Sequence, residues 1–149
     1  MKKVFISMPM KNRSKENIEK SIEKAKKLTK VLLGDDLEFI HTEVKEKVPY
    51  ENGNQAIYCI SKSLEILSQA DVFVCVGLPY FIEWDAKGCR IEDEVFRLYN
   101  DINEENYISL PVQFVFDREE IEEIRKKYEA NSNEKGYCTC NDKIDKPRY

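Results

Sequence analysis

The chain has 149 residues, 42% of them hydrophobic and 35% charged, which fits one soluble domain with a substantial core. A formal net charge of -4 and a pI near 5.2 argue against a nucleic-acid polymer as partner. No apolar stretch approaches membrane-spanning length, and Met1-Lys2-Lys3 leads into a run too short for a signal peptide, so no membrane contact and a cytoplasmic location are expected.

Val4-Phe5-Ile6 reads as a first strand, followed by Ser7-Met8-Pro9-Met10 and a polar connection. Ser14 is placed to cap a long helix, with Glu16 in the first turn where the dipole favours negative charge. Ile18, Ile22, Ala25, Leu28, Val31 and Leu32 form its apolar stripe, and Gly34 marks its stop. Leu37 to Ile40 is a second strand. A polar loop through Pro49 and Asn52-Gly53-Asn54 leads to a helix from Gln55 to Gln69, with Ile57, Ile60, Leu64 and Leu67 inward. Val72 to Val76, apolar and rich in β-branched residues, is a buried third strand, and Asp71 before it reads as a cap or strand-start contact.

Beyond Trp84 to Glu94, Ile91, Val95, Leu98 and Ile102 recur at helical spacing, with an end near Asn103. Ile108 to Phe116 is strand-like, and Pro111 implies a break or an edge position there. Asp117 caps a helix from Glu119 to Tyr128 with Ile121, Ile124 and Tyr128 inward. Periodicity stops at Asn131, which divides the chain into a domain over 1–130 and a tail over 131–149. Strands alternate with helices throughout. The expected fold is an α/β three-layer sandwich, Rossmann- or flavodoxin-like, with a mostly parallel sheet of four or five strands and right-handed crossovers.

The five cysteines are scattered, as expected of a reducing compartment and not of a disulfide framework. Cys75 falls in a strand, Cys59 on a helix and Cys89 in the loop after the third strand. Cys138-Thr139-Cys140 is half a zinc spacing with no second pair, so neither metal nor cofactor is expected.

The stretch Trp84-Asp85-Ala86-Lys87-Gly88-Cys89-Arg90-Ile91-Glu92-Asp93-Glu94 concentrates the chemistry. It is a strand-to-helix connection with a glycine at the turn and a carboxylate soon after. In open α/β sheets, ligands collect outside the carboxyl ends of the strands, where such a connection lies. Helix-start amides near Glu92 favour its ionised form, and Gly88 admits a ligand. An ionised carboxylate facing a sugar can attack the anomeric carbon or stabilise an oxocarbenium-like transition state. The plain alternative is a surface glutamate beside Asp93 and Glu94. His41 has no partner in sequence for a triad or a metal site and reads as a surface or packing residue. With Thr42 it would border the same crevice if the strand ends point that way. Lys11 and Arg13 are candidates to meet a phosphate, the plain alternative being solvated charges.

Ser63 through Val72, the Trp84-to-Glu94 stretch and the opening Val4-Phe5-Ile6-Ser7-Met8-Pro9-Met10 resemble a family of small bacterial and phage proteins, the DUF4406 group. That family is similar to nucleoside 2-deoxyribosyltransferases and to deoxynucleoside 5′-monophosphate N-glycosidases. The resemblance runs from Val4 to about Tyr99, and its most specific piece is Gly88-Cys89-Arg90-Ile91-Glu92. It implies cleavage or exchange of an N-glycosidic bond, with Glu92 as nucleophile and a nucleoside or nucleotide as small-molecule partner. Ser7, Met8, Pro9, Met10, Ser63, Gly88 and Cys89 would then line the pocket, with His41 at its border and Trp84 as a lid or stacking face. A homo-oligomer, dimer or larger, is implied as well.

Three departures stand against that pattern. The enzymes use a tyrosine on the first strand, where this chain has Val4 and Phe5. They use an aspartate in the helix before the third strand, where this chain has Ser63, which leaves Asp85 as a replacement acid. Gly77 to Glu83 is also longer than the family's entry into the loop. These departures motivate the alternative of non-catalytic binding, as a sensor or a phage-encoded sponge for a nucleotide-derived ligand.

Overall fold

The computed structural model describes residues 1–40, 46–77 and 86–134, the last four by their backbone. His41, Trp84, Asp85, Cys138 and Cys140 lie outside the described residues. The elements follow in the order β1 (Lys2–Ser7), α1 (Lys15–Leu33), β2 (Leu37–Ile40), α2 (Gln55–Leu67), β3 (Val72–Val76), α3 (Lys87–Tyr99), β4 (Tyr107–Leu110) and α4 (Arg118–Glu134). No helix among the described residues is long and apolar enough to cross a membrane.

The four strands form one all-parallel sheet in the order β2-β1-β3-β4. Side-chain alternation along the strands creates two cores. Val4, Ile6, Val72, Val74, Ile108 and Leu110 face one side, where Ala25 of α1 and Ile121 of α4 pack. Phe5, Phe73 and Cys75 face the other, beneath Leu67 of α2 and Phe96 of α3. This is a three-layer α/β sandwich, as expected. Because the chain leaves β1 toward β2 over one face and leaves β3 toward β4 over the other, the loops after β1 and β3 diverge. The gap between them is the topological switch point of the sheet.

Strand bounds follow the apolar runs closely, because β3 is covered on both faces and all five of its residues are buried. Gly77 ends β3 with φ 75°, and a Cβ there would come within 2.7 Å of Val112 Cγ1, so both backbone and packing demand glycine. Asp71 accepts from the Lys3 backbone N–H at 2.8 Å and so serves as the strand-start contact. β4 stops at Leu110; Pro111 then opens a 3-10 turn over Val112–Phe114, which replaces the longer strand expected to Phe116.

The helices differ from expectation in their buried faces. Ser14 caps α1 through its side chain, which accepts from the Asn17 N–H, but the residues buried on α1 are Ser21, Ala25 and Thr29. Val31 and Leu32, placed in the stripe by spacing, are exposed. They stand on the solvent side of the helix, whereas Ile22, Leu28 and Leu33 pack against the core. On α2, Asn54 is the cap, the helix ends at Leu67 and not Gln69, and Ile57 is exposed in the first turn. α3 ends at Tyr99, short of Asn103, and buries Cys89, Glu92, Asp93 and Phe96, while Ile91, Leu98 and Ile102 are exposed. α4 buries Ile121 as expected but starts at Arg118 and continues to Glu134, so helix extends past the expected domain end at 130.

α3 is clamped to the sheet by aromatic stacking. The Phe73 ring lies 5.3 Å from that of Phe96 and 5.7 Å from that of Tyr107, with Phe5 beyond it at 5.9 Å. Phe96 stands one helical turn after Glu92, so this stack also sets the direction in which Glu92 points.

Candidate active site

Ser7 is the last residue of β1, and its parity puts the hydroxyl on the Phe5 face, toward α2 and α3. There it donates to Glu92 Oε1 at 2.8 Å. Ser63, buried on the inner face of α2, donates to Glu92 Oε2. Each carboxylate oxygen therefore holds one hydroxyl, from two elements that α3 does not touch in sequence. Glu92 is 8% exposed, which excludes the plain reading of a surface glutamate.

Burial pushes the Glu92 carboxyl above the ordinary carboxylate range, while the hydrogen bonds from Ser63 and Ser7 pull it part of the way back. Its partners among the described residues are thus two neutral hydroxyls. The helix-start amides expected to hold the charge are not its partners, because α3 begins at Lys87 and Glu92 lies in its second turn.

Asp93, the next residue, has the opposite environment. It is fully buried, and its carboxylate takes Arg97 Nε at 3.1 Å and 3.2 Å and the Tyr107 hydroxyl from β4. Arg97 Nη2 also donates to the Tyr107 oxygen at 3.0 Å. Two successive buried carboxylates thus carry different loads: among the described residues Asp93 is bonded to a cation, and Glu92 to hydroxyls.

A cleft of about 480 Å³ opens over Glu92, between the loop after β1 and the start of α3. That volume suits a small organic ligand. Its lining includes Ser7, Met8, Pro9, Met10, Gly88 and Cys89, all expected there, and Glu92 forms part of its surface. Ser63 does not line it; its hydroxyl is committed to Glu92. Ala56 and Lys87 join the lining without having been singled out by the sequence.

Gly88 and Cys89 lie inside the first turn of α3, not in a preceding loop. A Cβ at Gly88 would meet only Ile60 Cδ1, at 3.8 Å, so the glycine keeps the cleft open and is not required by packing. The Cys89 thiol is pushed up to about 12, chiefly by burial, and so stays protonated and weakly nucleophilic at neutral pH. Of the two phosphate candidates, Lys11 lines the cleft, whereas Arg13 is buried in an ion pair with Glu120.

Asp93, Arg97 and Tyr107 were not singled out by sequence reasoning. The Asp93–Arg97 spacing of one turn was legible, but nothing local announces the Tyr107 hydroxyl. No family model, curated protein or solved structure matches this chain.

Proposed function

We propose that the cleft binds a nucleoside or nucleotide and that Glu92 attacks the anomeric carbon to break the N-glycosidic bond. The observation that carries this reading is the buried Glu92 carboxylate, fixed by Ser7 and Ser63 and facing a ligand-sized cleft with no cation bonded to it among the described residues. Positive charge developing on a sugar ring is the complement of such a group. In the first step a carboxylate oxygen bonds to the anomeric carbon. The base departs with the bonding electron pair and takes up a proton. Water then resolves the glycosyl ester to a free sugar, or a second base resolves it to a new nucleoside.

The test is base release from a panel of deoxynucleosides and their 5′-monophosphates, followed by chromatography, with wild type beside Glu92→Gln. Release by wild type and none by the variant supports the reading. No release by wild type from any panel member overturns it.

One observation favours a second reading, binding without cleavage. Val4 and Phe5 are fully buried where the resembling enzymes carry a tyrosine, and Ser63 is committed to Glu92, so none of these supplies a proton to the leaving base. Recovery of an intact ligand from the denatured complex supports that alternative. For the protein as a whole we propose a cytoplasmic homo-oligomer; the exposed Ile57, Leu98 and Tyr99 supply apolar surface for it. Light scattering after size exclusion tests the assembly.

A further inference from the structure

The wall of the cleft formed by Met8, Pro9 and Met10 is fastened from behind by a buried arginine. The Arg13 side chain is 1% exposed, and its Nη2 pairs with Glu120 Oε1 on α4 at 2.7 Å. The same nitrogen donates to Ser21 Oγ at 2.6 Å and reaches the Asn17 carbonyl at 3.4 Å, both on α1. Nη1 donates to the Pro9 carbonyl at 2.8 Å and lies 3.7 Å from the Met8 sulfur. The guanidinium carbon sits 3.7 Å above the Phe116 ring, just before α4. Nε is buried without a hydrogen-bond partner among the described residues.

An arginine beside a cleft is ordinarily taken as a hand for an anionic ligand. Here its charge is taken up by Glu120, and its donors grip the back of the wall. The loop it holds turns sharply, with Asn12 at φ 61° and the Arg13 N–H donating to the Met10 carbonyl at 3.2 Å. Fork and face act together: one edge takes Pro9, another takes Ser21 and Glu120, and the plane covers Phe116. A lysine has charge but neither the fork nor the flat face.

We infer that Arg13 is a positioning residue of the cleft, holding the Met8–Met10 wall in one conformation and coupling it through Glu120 and Phe116 to α4. Docking of α4 is therefore part of what builds the binding surface. A wall that visits its competent conformation a tenth of the time weakens apparent affinity about tenfold, so loss of the grip raises KM more than it lowers kcat.

The experiment measures amide hydrogen exchange at Met8 and over 10–13, together with kinetics on the deoxynucleoside and monophosphate panel. Arg13→Lys keeps the charge but loses the fork. The double change Arg13→Met/Glu120→Met removes both charges at once, which a buried pair tolerates better than loss of one partner. Lys24→Ala is the control, because it breaks the exposed Lys24–Asp117 bridge of 2.9 Å between α1 and the start of α4 without touching the wall. The expected result is exchange at least about tenfold faster at these amides in both Arg13 variants but not in the control, with KM raised about tenfold. Unchanged wall exchange in both Arg13 variants overturns the inference, as does a fall in kcat at constant KM. The kinetic arm rests on the glycosidic reading and the exchange arm does not; an inactive wild type defeats that reading and leaves exchange to decide the role of Arg13.

Discussion

The Ser7 hydroxyl meets Glu92 Oε1 at 2.8 Å across 85 positions of sequence. One end of that bond is fixed by the β1–β3 ladder, in which Ser7 pairs with Cys75, and the other by the stack of Phe96 on Phe73. The sheet core therefore aims the carboxylate.

Glu92→Gln separates chemistry from folding. A carboxyl whose folded pKa lies above its unfolded value contributes stability that is fully present below the unfolded value and is lost as pH rises through the folded one. Glu92 has its pKa raised by burial, so at neutral pH its ionised form destabilises the fold. The amide variant is expected to gain about 1 kcal/mol, a rise of about 3 °C in Tm at pH 7, and to lose this advantage below pH 4. Base release is expected to fall by at least about 10³-fold. Thermal melts across pH and the release assay check both halves; a variant less stable than wild type at pH 7 would contradict the electrostatic account.

Tyr107→Phe tests the anchor of α3. The ring still stacks on Phe73, so packing is retained, while buried Asp93 loses the hydroxyl donor and keeps Arg97. The expected cost is about 1–3 kcal/mol by urea denaturation with an unchanged m-value. A cost below about 0.5 kcal/mol would show that the carboxylate is satisfied without the hydroxyl.

How far the sequence revealed this arrangement depends on the range of the forces involved. β3 stands out as an apolar run because its burial is a property of consecutive residues. The apolar periodicity of α3 points to Ile91, Val95, Leu98 and Ile102; of these Val95 packs against the core, while the residues buried on the sheet side are Cys89, Glu92, Asp93 and Phe96. Burial of those two carboxylates is made tolerable by Ser7, Ser63 and Tyr107, and no local pattern announces partners so far along the chain. The same limit explains Arg13, which stands in a polar stretch and reads as solvated until α4 brings Glu120 to it. Ser63 stands where the resembling enzymes carry an acid; the bond from its hydroxyl to Glu92, 29 positions away, has no local signal in the sequence.

Thiol labelling reports the same packing. Burial pushes Cys75 and Cys89 each up to about 12, whereas Cys59 on α2 is partly exposed. With iodoacetamide at pH 7.5, peptide mass spectrometry is expected to find Cys59 modified in the native protein, with Cys75 and Cys89 reacting only after denaturation. Rapid native modification of Cys89 would mean that the first turn of α3 opens.

Ser63→Ala acts on the same carboxylate from α2. Its hydroxyl favours the ionised form, so removal raises the Glu92 pKa further, and the acid limb of the kcat/KM profile is expected to move to higher pH. The rate should fall most on the acid side of the profile and recover as pH rises. Ser63→Thr, which restores a hydroxyl, should return the limb toward its original position. A uniform loss at every pH would mean that Ser63 acts by packing alone.

Gly88 offers a block to the cleft that leaves its machinery in place. Since a Cβ there meets only Ile60 Cδ1 at 3.8 Å, Gly88→Ala fits, and the change from glycine within α3 favours the helix by about 0.5–1 kcal/mol. Gly88→Leu extends a branched side chain from the same point on the cleft lining, beside Glu92, and occupies volume that a ligand needs. The alanine variant should melt at or above wild type and keep most of its ligand affinity. The leucine variant should remain folded, with Tm within about 3 °C of wild type, and lose binding by about 10²-fold or more, because the added side chain takes up cleft volume beside Glu92. Unimpaired binding in Gly88→Leu, measured by calorimetry with any panel member that binds wild type, would place the ligand elsewhere on the protein.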